Sequence, residues 1–246
     1  MYGTLKKKYG QNFLIDNNII KKICSLIPNY SLTIIEIGPG DGRLTEQILK
    51  FNPKELKIIE IDPDLIPNLN SKFIKNKKVK IVNEDILNYP LKEKVDLIIS
   101  NLPYNISSQI LAKICLMEYL PENLILMFQK EFAERLLNKK LNSINSLLGC
   151  FYKINNNFNV SKNCFRPIPK IDSIVLSFTK KKIFLIKQSE LQNFIKFKRS
   201  LFSHKRKTLN NLLKSYNFDK GKFDLSVRIE DINLQQLISI FRQVNL

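Results

Sequence analysis

The segment Ile35-Glu36-Ile37-Gly38-Pro39-Gly40-Asp41-Gly42 constrains this chain more than any other. A short β-branched run enters a turn rich in glycine, and a helix-forming stretch over residues 44–50 follows. Glycine lets a backbone approach a ligand closely in such a turn, and strand, glycine turn and helix together open a doubly wound sheet. The rest of the chain keeps that rhythm. Residues 56–61, 79–82, 95–99 and 124–128 are short apolar runs, with helical stretches from about 64 and over about 107–117. Strands that are apolar on nearly every residue predict a parallel sheet covered on both faces. Asp16 is placed to cap a preceding helix whose Ile19, Ile20, Ile23, Cys24 and Ile27 share one face. From about 156 to 179 the pattern becomes consecutive strands. Beyond 186 it is helical, through Leu209, Leu212, Leu213 and later Leu234, Leu237, Ile238 and Phe241. The expected fold is α/β, a Rossmann-like sheet with a small C-terminal helical domain. The expected division is 1–183, a basic arm plus the α/β domain, and 184–246.

The acids around the glycine turn select the ligand. Glu60 lies twenty residues beyond Gly40, at the end of the second apolar run, where a carboxylate can accept from both hydroxyls of a ribose. A dinucleotide fingerprint needs a third glycine where this chain has Arg43. Glu36, inside the first strand, suits a pyrophosphate poorly. S-adenosylmethionine carries a sulfonium, an ammonium and no phosphate, so Glu-x-Gly-x-Gly with a strand-end acid reads as the methyltransferase version of the fold. In methyltransferases of this fold an acid after the third strand accepts from the adenine amino group, and Asp85, in Asn83-Glu84-Asp85-Ile86, resembles it; an ordinary loop acid is the alternative.

Ser100-Asn101-Leu102-Pro103-Tyr104-Asn105-Ile106-Ser107 follows the fourth strand, at the edge where open α/β sheets bind ligands. Pro103 fixes a turn, and the Asn101 side-chain oxygen and a backbone carbonyl can converge as paired acceptors beside the Tyr104 ring. That equipment suits an exocyclic amine on a base. Its nitrogen lone pair is delocalised into the ring, and two acceptors on its hydrogens favour a tetrahedral nitrogen and stabilise the charge that develops. An activated methyl donor needs no metal, and positioning supplies much of the catalysis.

Together with Tyr9-Gly-Gln-Asn-Phe-Leu14, Phe128-Gln-Lys-Glu131, Phe165-Arg-Pro-Ile-Pro-Lys-Ile-Asp-Ser173 and Lys205-Arg-Lys-Thr208, these segments resemble the KsgA family of ribosomal RNA adenine dimethyltransferases over nearly the whole length. The resemblance implies dimethylation of two adjacent adenosines in the hairpin loop near the 3′ end of 16S rRNA, on the small-subunit precursor, by a cytoplasmic monomer using S-adenosyl-L-methionine and no metal. It implies that Asn12 and Leu14 cover the cofactor, that Gly38 and Gly40 approach it, and that Glu60 and Asp85 hold its ribose and adenine. Asn101 and Pro103 would hold the target amine, with Tyr104 stacking on the flipped base and Phe165 closing its other side. Tyr9 stands where the family usually has Phe, and His204-Lys205 where a Gln-Arg-like pair is commoner.

Composition sets the partner. The net charge is +18, and residues 180–216 hold eleven basic side chains against the single acid Glu190, which is +10 of the total. A concentrated excess of this kind favours a polyanion, with a merely solvated basic face as the alternative. Lys205, Arg206 and Lys207, within a basic helical segment, and Lys6, Lys7 and Lys8 of the arm are the expected phosphate contacts. One histidine and four scattered cysteines argue against a Cys/His zinc site and suit a reducing compartment better than a disulfide scaffold. No apolar run has the length of a membrane span or signal peptide. The rival readings are an Erm-type 23S rRNA adenine methyltransferase, a non-catalytic ribosome-assembly factor and, less favoured for want of a target-recognition insertion, a DNA adenine methyltransferase.

Overall fold

The computed structural model describes residues 11–28, 32–217, 219, 221 and 223–244. The arm residues Lys6, Lys7, Lys8, Tyr9 and Gly10 lie outside the described residues.

Strand β1 (Phe13–Leu14) leads into helix α1 (Asn17–Cys24), whose N-terminal amides at Asn18 and Ile19 donate to Asp16 Oδ1 at 2.8 and 3.2 Å. That cap satisfies donors that the first helical turn leaves orphaned. The helix ends at Cys24, short of Ile27, which is nonetheless buried. There follow β2 (Thr33–Ile37), α2 (Arg43–Leu49), β3 (Glu55–Glu60), α3 (Ile66–Phe73), β4 (Val79–Asn83), β5 (Leu97–Asn101), α4 (Ser107–Cys115) and β6 (Asn123–Gln129). Two helices, α5 (Lys130–Leu137) and α6 (Ser143–Phe151), precede β7 (Tyr152–Val160), β8 (Phe165–Arg166) and β9 (Ser173–Lys180). The chain closes with α7 (Leu191–Phe202), α8 (Leu209–Leu212) and α9 (Leu234–Gln243).

The main sheet runs β4-β3-β2-β5-β6-β9-β7, parallel from β4 to β6, with β9 antiparallel to β6. Its middle is apolar on both faces: Ile34, Ile35, Leu97, Ile98 and Ile99 are all sealed from solvent, each worth about 1.5–3 kcal/mol of burial. The strand order reverses direction at β2, flanked by β3 and β5, so the loops leaving β2 and β5 diverge and open a crevice. Ser100 Oγ donates to the Ile37 carbonyl at 2.5 Å and ties the two strand ends together at that point. A second, two-stranded sheet pairs β1 with β8, Leu14 opposite Phe165.

The chain clusters into two compact units. The first comprises Met1–Ala133 and Ile154–Lys180, the second Glu134–Lys153 and Lys181–Leu246. The second unit thus draws in residues 134–153, which lie N-terminal to the expected single division at 183/184. In that unit Phe194 and Phe197 pack against Phe241, with centroids 5.2 and 5.6 Å apart, and Lys198 Nζ donates to Ser143 O and Oγ at 2.6 and 2.9 Å. Lys198 is therefore a buried link between α7 and α6. Two more of the eleven cations are engaged in the fold: Lys180 with Glu122, and Lys181 with the Gly149 carbonyl. Lys205, Arg206 and Lys207 are exposed, but they occupy the turn between α7 and α8 rather than a helix. Thr208, which pairs with Arg228, ends that turn. No helix among the described residues is long and apolar enough to cross a membrane.

Candidate active site

The crevice beside β2 is a cavity in the first unit, walled by residues 11–14 of the arm, the glycine turn, Glu60, Leu65 and residues 101–104. Each wall has a local cause. Gly38 and Gly40 hold φ of +66° and +60°, a conformation that disfavours any side chain. A Cβ on Gly38 would meet nothing within 4 Å, so this backbone opens onto free space, whereas a Cβ on Gly40 would lie 2.7 Å from the Phe13 ring. Gly40 is thus small because the arm folds down on it.

Besides the pairing of β1 with β8, side-chain hydrogen bonds tie the arm down. Gln11 Nε2 donates to Asp62 Oδ2 at 2.7 Å, and Asn101 Nδ2 donates to the Asn12 carbonyl at 2.9 Å. The second tie spends the Asn101 amide's nitrogen on the arm and leaves Oδ1 buried on the cavity wall without a hydrogen-bond partner. An unsatisfied buried acceptor costs about 1–3 kcal/mol, which a ligand bringing an N–H group recovers. Glu36 repeats the pattern. It is 1% exposed, its Oε2 accepts from Thr45 Oγ1 at 2.6 Å, and its Oε1 has no partner. Burial, reinforced by the Glu60 and Asp41 carboxylates and opposed by the Thr45 hydrogen bond, pushes its carboxyl up to about 8. Burial also raises Glu60, whose two oxygens accept from the amides of Gly40 at 3.2 Å and Asp62 at 2.9 Å. Those bonds aim the carboxylate and leave further lone pairs for hydroxyls.

Tyr104 opens a short turn after β5. Its half-buried ring lines the cavity and its hydroxyl meets Ser173 Oγ at 2.9 Å. Burial raises its ionisation above the ordinary value, so the phenol stays neutral.

The cavity therefore gathers the sequence candidates Asn12, Leu14, Gly38, Gly40, Glu60, Asn101, Pro103 and Tyr104 in its wall. Two expected residues are not in its wall. Phe165 is fully buried in the core with Leu14, Ile20 and Ile23, because pairing with β1 turns it inward. Asp85 stands beyond β4 with Oδ1 accepting from the Leu87 amide at 2.8 Å. Gln11, Phe13, Asp62 and Ser173 are side chains that sequence reasoning did not single out. Gln11 and Phe13 lie inside a segment it quoted, and Ser173 ends another, but only the fold shows what they touch.

The charged residues of the wall are Glu36, Asp41, Glu60 and Arg43, and Arg43 is paired with Asp41 at 2.8 Å. A wall of acids, carbonyl acceptors and bare glycine backbone fits S-adenosylmethionine, which offers an ammonium and ribose hydroxyls, and does not fit a pyrophosphate. Sheet, switch point and acceptor-lined cavity together define a Rossmann-like, S-adenosylmethionine-dependent methyltransferase. Within that class, the chain belongs to the ribosomal RNA adenine dimethylase family, which its residues 3–245 match. Relatives named ribosomal RNA small subunit methyltransferase A include one from Mycoplasma capricolum, 36% identical over 97% of both chains. Another, from Malacoplasma penetrans, is 40% identical over 98% of this chain and 87% of its own. Among solved structures, a dimethyladenosine transferase from Plasmodium falciparum superposes with a TM-score of 0.80 at 24% identity, covering 95% of this chain and all of that one. The 23S rRNA methyltransferase ErmE gives 0.73 at 20% identity over the same shares. At those identities the structures speak for the fold alone. The sequence relatives carry the small-subunit name.

Proposed function

We propose that this protein dimethylates N6 of two adjacent adenosines in the hairpin loop near the 3′ end of 16S rRNA, on the small-subunit precursor, in ribosome biogenesis. The observation that carries the reading is the unpartnered, buried Oδ1 of Asn101, held in place through Asn12 and flanked by Pro103 and Tyr104. S-adenosylmethionine, when bound, supplies a methyl group already activated on a sulfonium. The chain's own residues do the rest. Gly38 and Gly40 admit the cofactor's methionine part, Glu36 gives up its proton to meet the ammonium, Glu60 meets the ribose and Asp85, past the cavity wall, the adenine, while Asn12 and Leu14 exclude water above it. Asn101 Oδ1 accepts from the target amine and stabilises the positive charge developing there, and Tyr104 gives the flipped base a stacking face. Phe165 acts through Leu14, which it backs, rather than on the base. Lys205, Arg206 and Lys207, presented on an exposed turn of the second unit, hold RNA phosphates.

Incubation with labelled S-adenosylmethionine and either unmodified small subunits or free large-subunit rRNA tests the reading. Two adjacent dimethyladenosines in the small-subunit RNA are expected. Label in the large-subunit RNA would move the protein to the Erm type, and RNA binding without label would leave only an assembly role.

A further inference from the structure

One contact at the cavity joins two segments far apart in the chain. Tyr104, in the wall of the crevice, shares a hydrogen bond of 2.9 Å with Ser173, the first residue of β9, which is fully buried. β9 lies two places from β5 in the sheet, and Ser173 pairs with Gln129 across β6. The bond therefore reaches over the end of β6 and anchors the ring to a strand it does not adjoin. Swinging the ring would strand the fully buried Ser173 hydroxyl without its partner, so the ring is set before any ligand arrives.

We propose that Ser173 is a positioning residue that fixes Tyr104 as a rigid stacking face, and that this rigidity governs chiefly the second methyl transfer to each adenine. The inference rests on the N6-dimethylation reading above. Each transfer forms one N–C bond from the nitrogen lone pair, breaks one S–C bond to leave a neutral thioether, and releases one proton from nitrogen to solvent. Adenine presents two N–H groups to its acceptors at the first transfer and one at the second. With one hydrogen bond fewer to orient the amine, stacking on Tyr104 carries more of the positioning. A loosened ring therefore penalises the second step more than the first.

The test is a time course of mono- and dimethyladenosine, by mass spectrometry of digested rRNA, for wild type, Ser173→Ala, Tyr104→Phe and the double variant. Tyr104→Phe keeps the ring and removes the same bond from its other end, and so covers the case in which Ser173→Ala folds poorly. In each single variant the second transfer is expected to slow about fivefold more than the first, the scale of one buried hydrogen bond. Monomethyladenosine accumulates, and the double variant behaves like either single one. An unchanged product ratio, equal slowing of both steps, or additive effects in the double variant would overturn the inference while wild type still dimethylates. A wild type that never forms dimethyladenosine would overturn the functional reading and this inference with it.

Discussion

Glu36→Gln converts a buried acid into a measurable pH dependence of stability. The side chain is 1% exposed, and burial is the main reason its carboxyl is pushed up from 4.5 to about 8. Between those two values the folded protein keeps a proton that the unfolded chain releases. Stability therefore falls as pH rises from about 4.5 to about 8, and this group contributes no slope outside that window. At pH 7 the gap from 4.5 is roughly 2.5 pH units, or about 3 kcal/mol at about 1.36 kcal/mol each. Glutamine keeps the shape and an oxygen for the Thr45 hydroxyl, and it cannot ionise. Urea unfolding of both proteins at pH 5, 6, 7 and 8 is the assay. The variant's advantage should grow by about 1.4 kcal/mol per pH unit across that range, then level off. On the proposed contact with the ammonium, its affinity for S-adenosylmethionine should fall as well. A stability difference that stays constant with pH would refute a raised carboxyl at Glu36. A stability cost retained at a ligand site is what function commonly imposes.

Asn101→Ala should reduce methyl transfer by about 10²–10³ or more while filter-binding affinity for rRNA holds, and wild-type turnover would remove Asn101 from the chemistry. Gly40→Ala, whose new carbon falls 2.7 Å from the Phe13 ring, should lower Tm by several degrees more than Gly38→Ala, which strains a similar φ but meets no atom. Equal losses would show that the arm does not rest on Gly40. Replacing Lys205, Arg206 and Lys207 by Ala should reduce the slope of log affinity for rRNA against log salt by about 2–3, whereas an unaltered slope would mark that turn as simply solvated.

The α/β half was legible because its strands are continuous apolar runs and its turns carry chemistry of their own. Asp16 capped the first helix as its position implies, and Thr33–Ile37 occupies the strand expected at the head of the glycine turn. Helix α6 was not legible. Ile144, Leu147, Leu148, Cys150 and Phe151 are all buried, together with Asn145 and Ser146, so no polar face remains to reveal a period. Its capping box pairs Asn142 with Asn145, not the Ser/Thr and Glu that mark a helix start in sequence. At the site, Asn101 and Glu60 were readable because a strand end places them. Ser173 against Tyr104 and Gln11 against Asp62 join residues far apart in the chain, and nothing local to either partner announces the pairing. The charge run misled in a different way. Counting cations gave Lys180, Lys181 and Lys198 the same standing as Lys205, yet the fold uses the first three for itself.

The small sheet of β1 and β8 bears on how the protein is made. Phe13 and Leu14 dock against Phe165 and Arg166, about 150 residues later, so the lid of the cavity cannot close until the ribosome has delivered about two-thirds of the chain. The glycine turn and Asn101 emerge long before that, and they stand open until β8 arrives. Tight cofactor binding is then a late event in synthesis. A nascent chain stalled short of residue 165 would carry every acceptor of the site and still lack the strand that holds its cover down.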